Sequence, residues 1–451
     1  VPPVLAEQTL AQALPAVAML PFVGLLASIA VLPLVAGHWW ERRRNQALVV
    51  MGWSAPVVVQ LIGLWLTDAV VGPEAGASLL RAAHEYLSFV VLLGALYVIS
   101  GGVLVAGNLQ ARPSVNTAFL AVGALLANVV GTTGASMLLI HPLLRANRER
   151  ELVGHIPIFF IFIVANIGGA LSPIGDPPLF VGYLRGVPFS WPLIHLGPAW
   201  LLAVSLLLSA FYLIDRHFYA RERVADLALD AARASPLRIE GQLNILLLIG
   251  VMGAVLWLSP DPERSDLRRY PLRELSLIGL SLLSLRLSPP HIRPANGFSW
   301  GPIREVALLF AGIFSTMVPA LIRLEAAADT LGPPSPLQLF WVTGLLSSFL
   351  DNAPAYMTFS TVACGSVSDC TGPEALGSLA GSPVGAELLK AIALGAVFMG
   401  ANTYIGNGPN FMVRAIALEN GYRMPSFFGY IGWSMTFLLP LYLLISLVFF
   451  W

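Results

Sequence analysis

Lysine is almost missing from this chain: Lys390 stands alone beside 24 arginines. Acids are no commoner, so only 11% of residues are charged, against about 25% in a soluble domain. A soluble chain of 451 residues would form about three domains and need a far more charged surface. The shortage excludes a soluble chain, a coiled coil and a disordered one. Charge of one sign is lacking too: the formal net charge is zero, so no nucleic-acid partner is expected. The two cysteines, Cys364 and Cys370, are too few for a disulfide framework. They bracket a short loop and fit one bridge or two thiols equally well. No His-x-x-x-His spacing occurs, and His155 and His195 fall near the ends of apolar runs, so no transition-metal site is expected.

What is present is apolar: 57% of the residues are hydrophobic. A helix needs about 20 apolar residues to cross about 30 Å of hydrocarbon. The runs predict an all-α polytopic membrane protein of about ten spans, over 17–36, 47–67, 86–106, 155–184, 192–214, 242–258, 272–286, 304–323, 387–420 and 426–450. The runs 155–184 and 387–420 are broken by Gly, Pro and polar residues. The first span lacks a preceding basic residue and a small-residue cleavage site, and Arg42, Arg43 and Arg44 follow it. It therefore reads as a stop-transfer span rather than a signal peptide. The chain opens on Val1, which leaves room for preceding residues.

Cytoplasmic loops hold the excess of positive charge. Placing 41–46 inside puts the N-terminus outside, in a bacterial inner membrane. Arg112 and the group Arg145, Arg148 and Arg150 then both lie inside. The run between them, 114–146, must turn back as a re-entrant hairpin. Its arms of about 12–14 residues reach only about 20 Å each. The run 336–364 is the mirror case: 324–336 and 365–386 carry acids (Asp369 and Glu374 in the latter) and no base. Arg264, Arg268, Arg269 and Arg273, in 259–273, fall on the wrong side in this scheme.

The two hairpins align at an offset of 220, with Leu125–Gly134 against Leu345–Pro354. The broken runs align at an offset of 231, with Gly169–Phe180 against Gly400–Phe411 and six of twelve positions identical. This pattern predicts an inverted-topology repeat: scaffold spans 1–85, a first repeat 86–214, a cytoplasmic linker 215–241 and a second repeat 242–450. Secondary transporters with this architecture bind their cargo near the midplane, at interrupted helices.

Unwound backbone inside a membrane is tolerated only where it is buried in protein or lines a watered cavity. The breaks offer Asn166, Ser172 and Asp176, and Asn402, Thr403 and Asn407; the hairpin tips offer Asn128, Thr132 and Thr133, and Ser347, Ser348, Asp351 and Asn352. Intramembrane acids are functional candidates, and these four elements hold just Asp176 and Asp351. Each could instead cap the half-helix that follows it, and the amides and threonines could simply join helices. Two acids with no adjacent base, among oxygen donors, suit a hard cation such as sodium. Desolvation disfavours a charged carboxylate, so a proton and a sodium ion would compete for both. No other cofactor is expected.

At these residues the chain resembles the ion transporter superfamily, and within it the NhaD-type sodium/proton antiporters. The stretch from Asn166 to Asp176 resembles that family's signature, and Ser347-x-x-x-Asp351-Asn352-x-Pro354 is similar to its second hairpin tip. The resemblance implies sodium(lithium)/proton antiport, a scaffold beside a moving transport domain, elevator-like exchange and a homodimer. The chain departs from that family at Gly131 and Thr132, where an Asp-Asn pair is usual, and at Pro177 and Pro178. The missing acid leads toward the superfamily's carriers of di- or tricarboxylates or arsenite. In that reading an Arg185 or Arg414 facing the site would favour an anion. A distant alternative is an intramembrane aspartyl protease, but Pro173-Ile174-Gly175-Asp176 half matches its motif and the repeat has no role there.

Overall fold

The computed structural model describes residues 10–40, 42–258, 270–331, 334–365, 370 and 374–451. Its helices, in order, are α1 (Leu20–Val35), α2 (Arg43–Thr67), α3 (Gly72–Ser100), α4 (Pro113–Ala146), α5 (His155–Ile163), α6 (Pro177–Leu184), α7 (Trp191–Tyr219), α8 (Val224–Arg233), α9 (Gln242–Trp257), α10 (Tyr270–Leu287), α11 (Gly301–Leu331), α12 (Pro336–Ser347), α13 (Asn352–Cys364), α14 (Pro383–Met399), α15 (Gly408–Glu419) and α16 (Phe427–Phe449). Eight helical segments among the described residues are long and apolar enough to cross a membrane. The protein is an all-α polytopic membrane protein. One small ribbon interrupts the helices, β1 (Leu104–Asn108) antiparallel to β2 (Ser235–Glu240).

The third span differs from expectation. Its helix begins at Gly72, ends at Ser100 and gives way to β1, so the division at 85/86 falls inside α3. Pro73 sits in the first turn of α3, where its missing N–H costs nothing. Arg273 differs too. It is buried within α10, its guanidinium 2.6 Å from Glu274, so it brings no net charge to a loop. Arg264, Arg268, Arg269 and Asp369 lie outside the described residues. Cys364 and Cys370 are joined as a disulfide.

α4 folds back on itself. Asn116 and Asn147 exchange side-chain hydrogen bonds at 2.9 and 2.8 Å, although a straight helix would hold them about 46 Å apart. The turn is at Gly131 (φ 76°, ψ 158°), a conformation that glycine adopts at little cost. α12 and α13 form the second hairpin, joined through Ser348–Asp351.

The enclosed centre is α14, whose apolar window is 83% buried against 17% for α2. α5 is buried from end to end. The base of the first hairpin is anchored by a buried polar network. Arg150 pairs with Asp215 at 2.7 Å and Glu222 at 3.3 Å, and Asp215 also meets His155 at 3.0 Å and Asn116 at 2.9 Å. His155, near the end of its apolar run, is thus a buried structural residue.

Candidate ion and substrate site

Both broken helices unwind in the same way. After α5 the chain passes through a 3-10 turn, Ile167–Leu171, to extended Ser172 (φ −142°, ψ 155°) and extended Asp176 (φ −139°, ψ 144°), then enters α6. After α14 it passes through Gly400–Asn402 to extended Thr403 (φ −137°, ψ 165°) and extended Asn407 (φ −150°, ψ 140°), then enters α15. The hydroxyls do the same work in each. Ser172 Oγ donates to Asn128 O and accepts from Gly175 N; Thr403 Oγ1 donates to Ser348 O and accepts from Gly406 N. Each hydroxyl ties its break to a hairpin tip. Gly175 and Gly406 are needed because a Cβ there would strike the carbonyls of Gly169 and Gly400.

Asp176 lies where the four elements meet, and it is 1% exposed. Its Oδ2 accepts from Asn352 Nδ2 at 2.7 Å, and its Oδ1 from Thr132 Oγ1 at 3.2 Å and Asn407 Nδ2 at 3.3 Å. Thr132 comes from the first tip, Asn352 from the second, and Asn407 from the opposite break. Asp176 makes no capping bond to α6. Pro177 and Pro178 lack the N–H groups that would invite one, so its carboxylate is left to face other elements.

Asn352 is aimed by its own surroundings. Its Oδ1 lies 2.8 Å from Ser347 Oγ, and only glycine at position 400 leaves room for it. Asn166 continues the network: its Oδ1 accepts from Asn407 Nδ2 at 3.1 Å, and its Nδ2 donates to Asn410 Oδ1 at 2.7 Å. Asn410 in turn donates to Gly400 O and Thr403 O. Sequence reasoning missed Asn410; the signal was an amide in the first turn of a broken helix, inside the aligned repeat.

The remaining candidates do other things. Asp351 caps α13, accepting from Ala353 N at 3.3 Å. Asn128 braces the first break, bonded to Gly168 O and Leu171 N. Asn402 Nδ2 donates to Ser348 Oγ, while its Oδ1 is buried without a hydrogen-bond partner. Thr133 is not in the Asp176 network. With Gly134, Tyr97, Pro177 and Pro302 it lines a cavity between the first hairpin tip, α3 and α11. Thr132 borders that cavity and also bonds Asp176.

Of the two candidate arginines, Arg185 is ion-paired, whereas Arg414 meets aromatic rings and has no acid partner among the described residues. Arg185 makes a two-pronged pair with Glu85 of α3, both contacts 3.0 Å. Arg414 lies over the Tyr404 ring, 4.9 Å from its centre. The anion-friendly feature is the start of the second hairpin arm at Thr132. The Thr132 N–H itself donates to Gly175 O at 2.9 Å, and the helix start places the positive end of a dipole at the cavity wall.

A family model described as "Putative citrate transport" matches residues 11–450, almost the whole chain. The chain belongs to this family. It is a membrane transporter and not an enzyme. Among its relatives is a 46 kDa membrane protein of Mycobacterium leprae, 29% identical over 319 residues, which are 66% of this chain and 67% of that protein. An uncharacterised transporter of Mycobacterium tuberculosis is 28% identical over 275 residues, 57% of this chain and 58% of its own length. A second from that species is 26% identical over 312 residues, 66% and 67% of the two chains. The chain thus spans little more than half the length of some of these relatives. The description of this family names an organic anion rather than sodium/proton exchange. Gly131 and Thr132, which stand where antiporters of the resembled type carry an acid and an amide, are the local residues that agree with it.

Proposed function

We propose that this protein moves a di- or tricarboxylate of the citrate class together with a monovalent cation or proton held at Asp176. The observation that carries this reading is the setting of Asp176: a buried carboxylate with three neutral donors and no guanidinium of its own. A polyanion admitted beside Asp176, where the cavity of about 50 Å³ must widen to hold it, would meet that carboxylate, and like charges at close range in a low dielectric repel strongly. Neutralising Asp176 with a proton or sodium ion removes the conflict, so cation and anion bind better together than apart. The substrate's carboxylates would face Thr133 and the start of the second hairpin arm.

The repeated local geometry of tips and breaks supports an inverted repeat that exposes the site alternately to each side. In this reading the tips and breaks travel as one body against α2, α3 and α11, and the protein works as a homodimer with its N-terminus outside. Sodium/proton antiport is the second reading, favoured by the same unpaired Asp176.

Reconstitution in vesicles with an internal pH dye distinguishes them. Citrate or succinate addition should move protons, or should do so once sodium is supplied. Proton movement on sodium or lithium alone, unaffected by either anion, would replace the proposal with antiport.

A further inference from the structure

The end of α7 and the start of α16 enclose a groove on the outer surface of the bundle. Leu213, Phe218, Trp433 and Phe437 form its walls, and Gly429 and Gly432 its floor. Both helices are apolar enough to cross a membrane, so the groove opens toward hydrocarbon. Its end is basic. His217 lines it, Arg216 and Arg221 flank His217 at the end of α7, and Arg423 precedes α16. All four side chains are exposed, and none is ion-paired among the described residues. The acids beside His217 and Arg221 in sequence, Asp215 and Glu222, are buried against Arg150, while the exposed Glu419 precedes Arg423 by four residues.

We infer that this groove binds an anionic phospholipid, its acyl chain along the glycine floor and its headgroup phosphate among Arg216, His217, Arg221 and Arg423. An apolar slot with a cationic mouth matches that amphiphile in both parts. Basic residues at a membrane surface attract anionic headgroups, each adding to the attraction. The same charges argue against a second copy of this chain in the groove. A two-fold interface places the same patch on both sides, which would set these four cations against four more.

Native mass spectrometry on protein from nanodiscs of mixed phosphatidylglycerol and phosphatidylcholine tests the site. A Cβ at Gly432 meets nothing within 4 Å, so Gly432→Phe fills the groove without disturbing the fold; Arg216→Gln/Arg221→Gln removes charge alone. Wild-type protein should retain phosphatidylglycerol over phosphatidylcholine, and each variant should retain at least fivefold less of it. Equal retention of the two lipids by wild type, or unchanged retention in the charge variant, would overturn the inference. A loss of dimer in Gly432→Phe with lipid retention intact would also overturn it, in favour of a protein partner.

Discussion

Asn352 Nδ2 sits 2.7 Å from Asp176 Oδ2, which ties the tip of the second hairpin to the break of the first unwound helix across 176 positions of sequence. A hydrogen bond to a charged group contributes about 1.5–3 kcal/mol. Asn352→Ala should therefore weaken coupling-cation binding, or shift the pH dependence of transport, by a factor of about 10 or more. Titrating initial uptake rates against sodium and against pH measures this.

The two acids should separate cleanly. Asp351 caps α13, and asparagine is an equally good cap. Asp351→Asn should keep at least a tenth of the wild-type transport rate, whereas Asp176→Asn should keep none with folding intact. Equal loss in both variants would place Asp351 on the transported cation as well.

Gly131 holds φ at 76°, and its position faces Ile174 O at 3.3 Å from an added Cβ. Gly131→Ala should cost about 1–3 kcal/mol of backbone strain, since ψ of 158° places it in a region that only glycine adopts readily, seen as a lower melting temperature in detergent. The tip carries Thr132, so transport should fall further than stability does.

Buried and exposed ion pairs should behave differently. Arg150→Met removes the guanidinium that Asp215 and Glu222 share, leaving Asp215 with His155 and Asn116 and Glu222 with two backbone N–H groups, and should destabilise by about 3 kcal/mol. Arg223→Gln breaks an exposed pair with Glu151 and should change stability by less than about 1 kcal/mol. Thermal unfolding of the two variants side by side checks the contrast.

Asp230, on α8 outside the spans, has its carboxyl pKa raised from 3.8, chiefly by burial. A raised folded-state value means that the folded protein binds the proton more tightly than the unfolded one. This group's contribution is thus favourable at low pH and is lost as pH rises from 3.8 through the folded-state value. Asp230→Asn should raise the melting temperature at pH 7 and leave it unchanged below pH 3.8.

Much of this was legible because membrane burial punishes charge and exposed backbone. Asp176, Asn166, Asn407 and the breaks stand out as polar or helix-breaking residues in apolar runs, and the repeat assigns each a counterpart. Gly72–Glu85 was not legible as helix, because charged and small residues there lower its hydropathy although the helix continues. The cap at Asp351 and the ligand-like position of Asp176 look alike in sequence. Pro177 and Pro178 decide between them, since they withdraw the N–H groups that Ala353 supplies to Asp351. Asn410 was hidden because its counterpart in the first repeat is Leu179, so the comparison of repeats passed over it.

Uptake of radiolabelled citrate into vesicles, with an imposed inward sodium or proton gradient, tests the central claim most directly. Wild-type protein should accumulate citrate only when one of these gradients is present, and Asp176→Asn should not accumulate it under any gradient. Gradient-independent accumulation, or undiminished gradient-driven uptake in Asp176→Asn, would contradict the account.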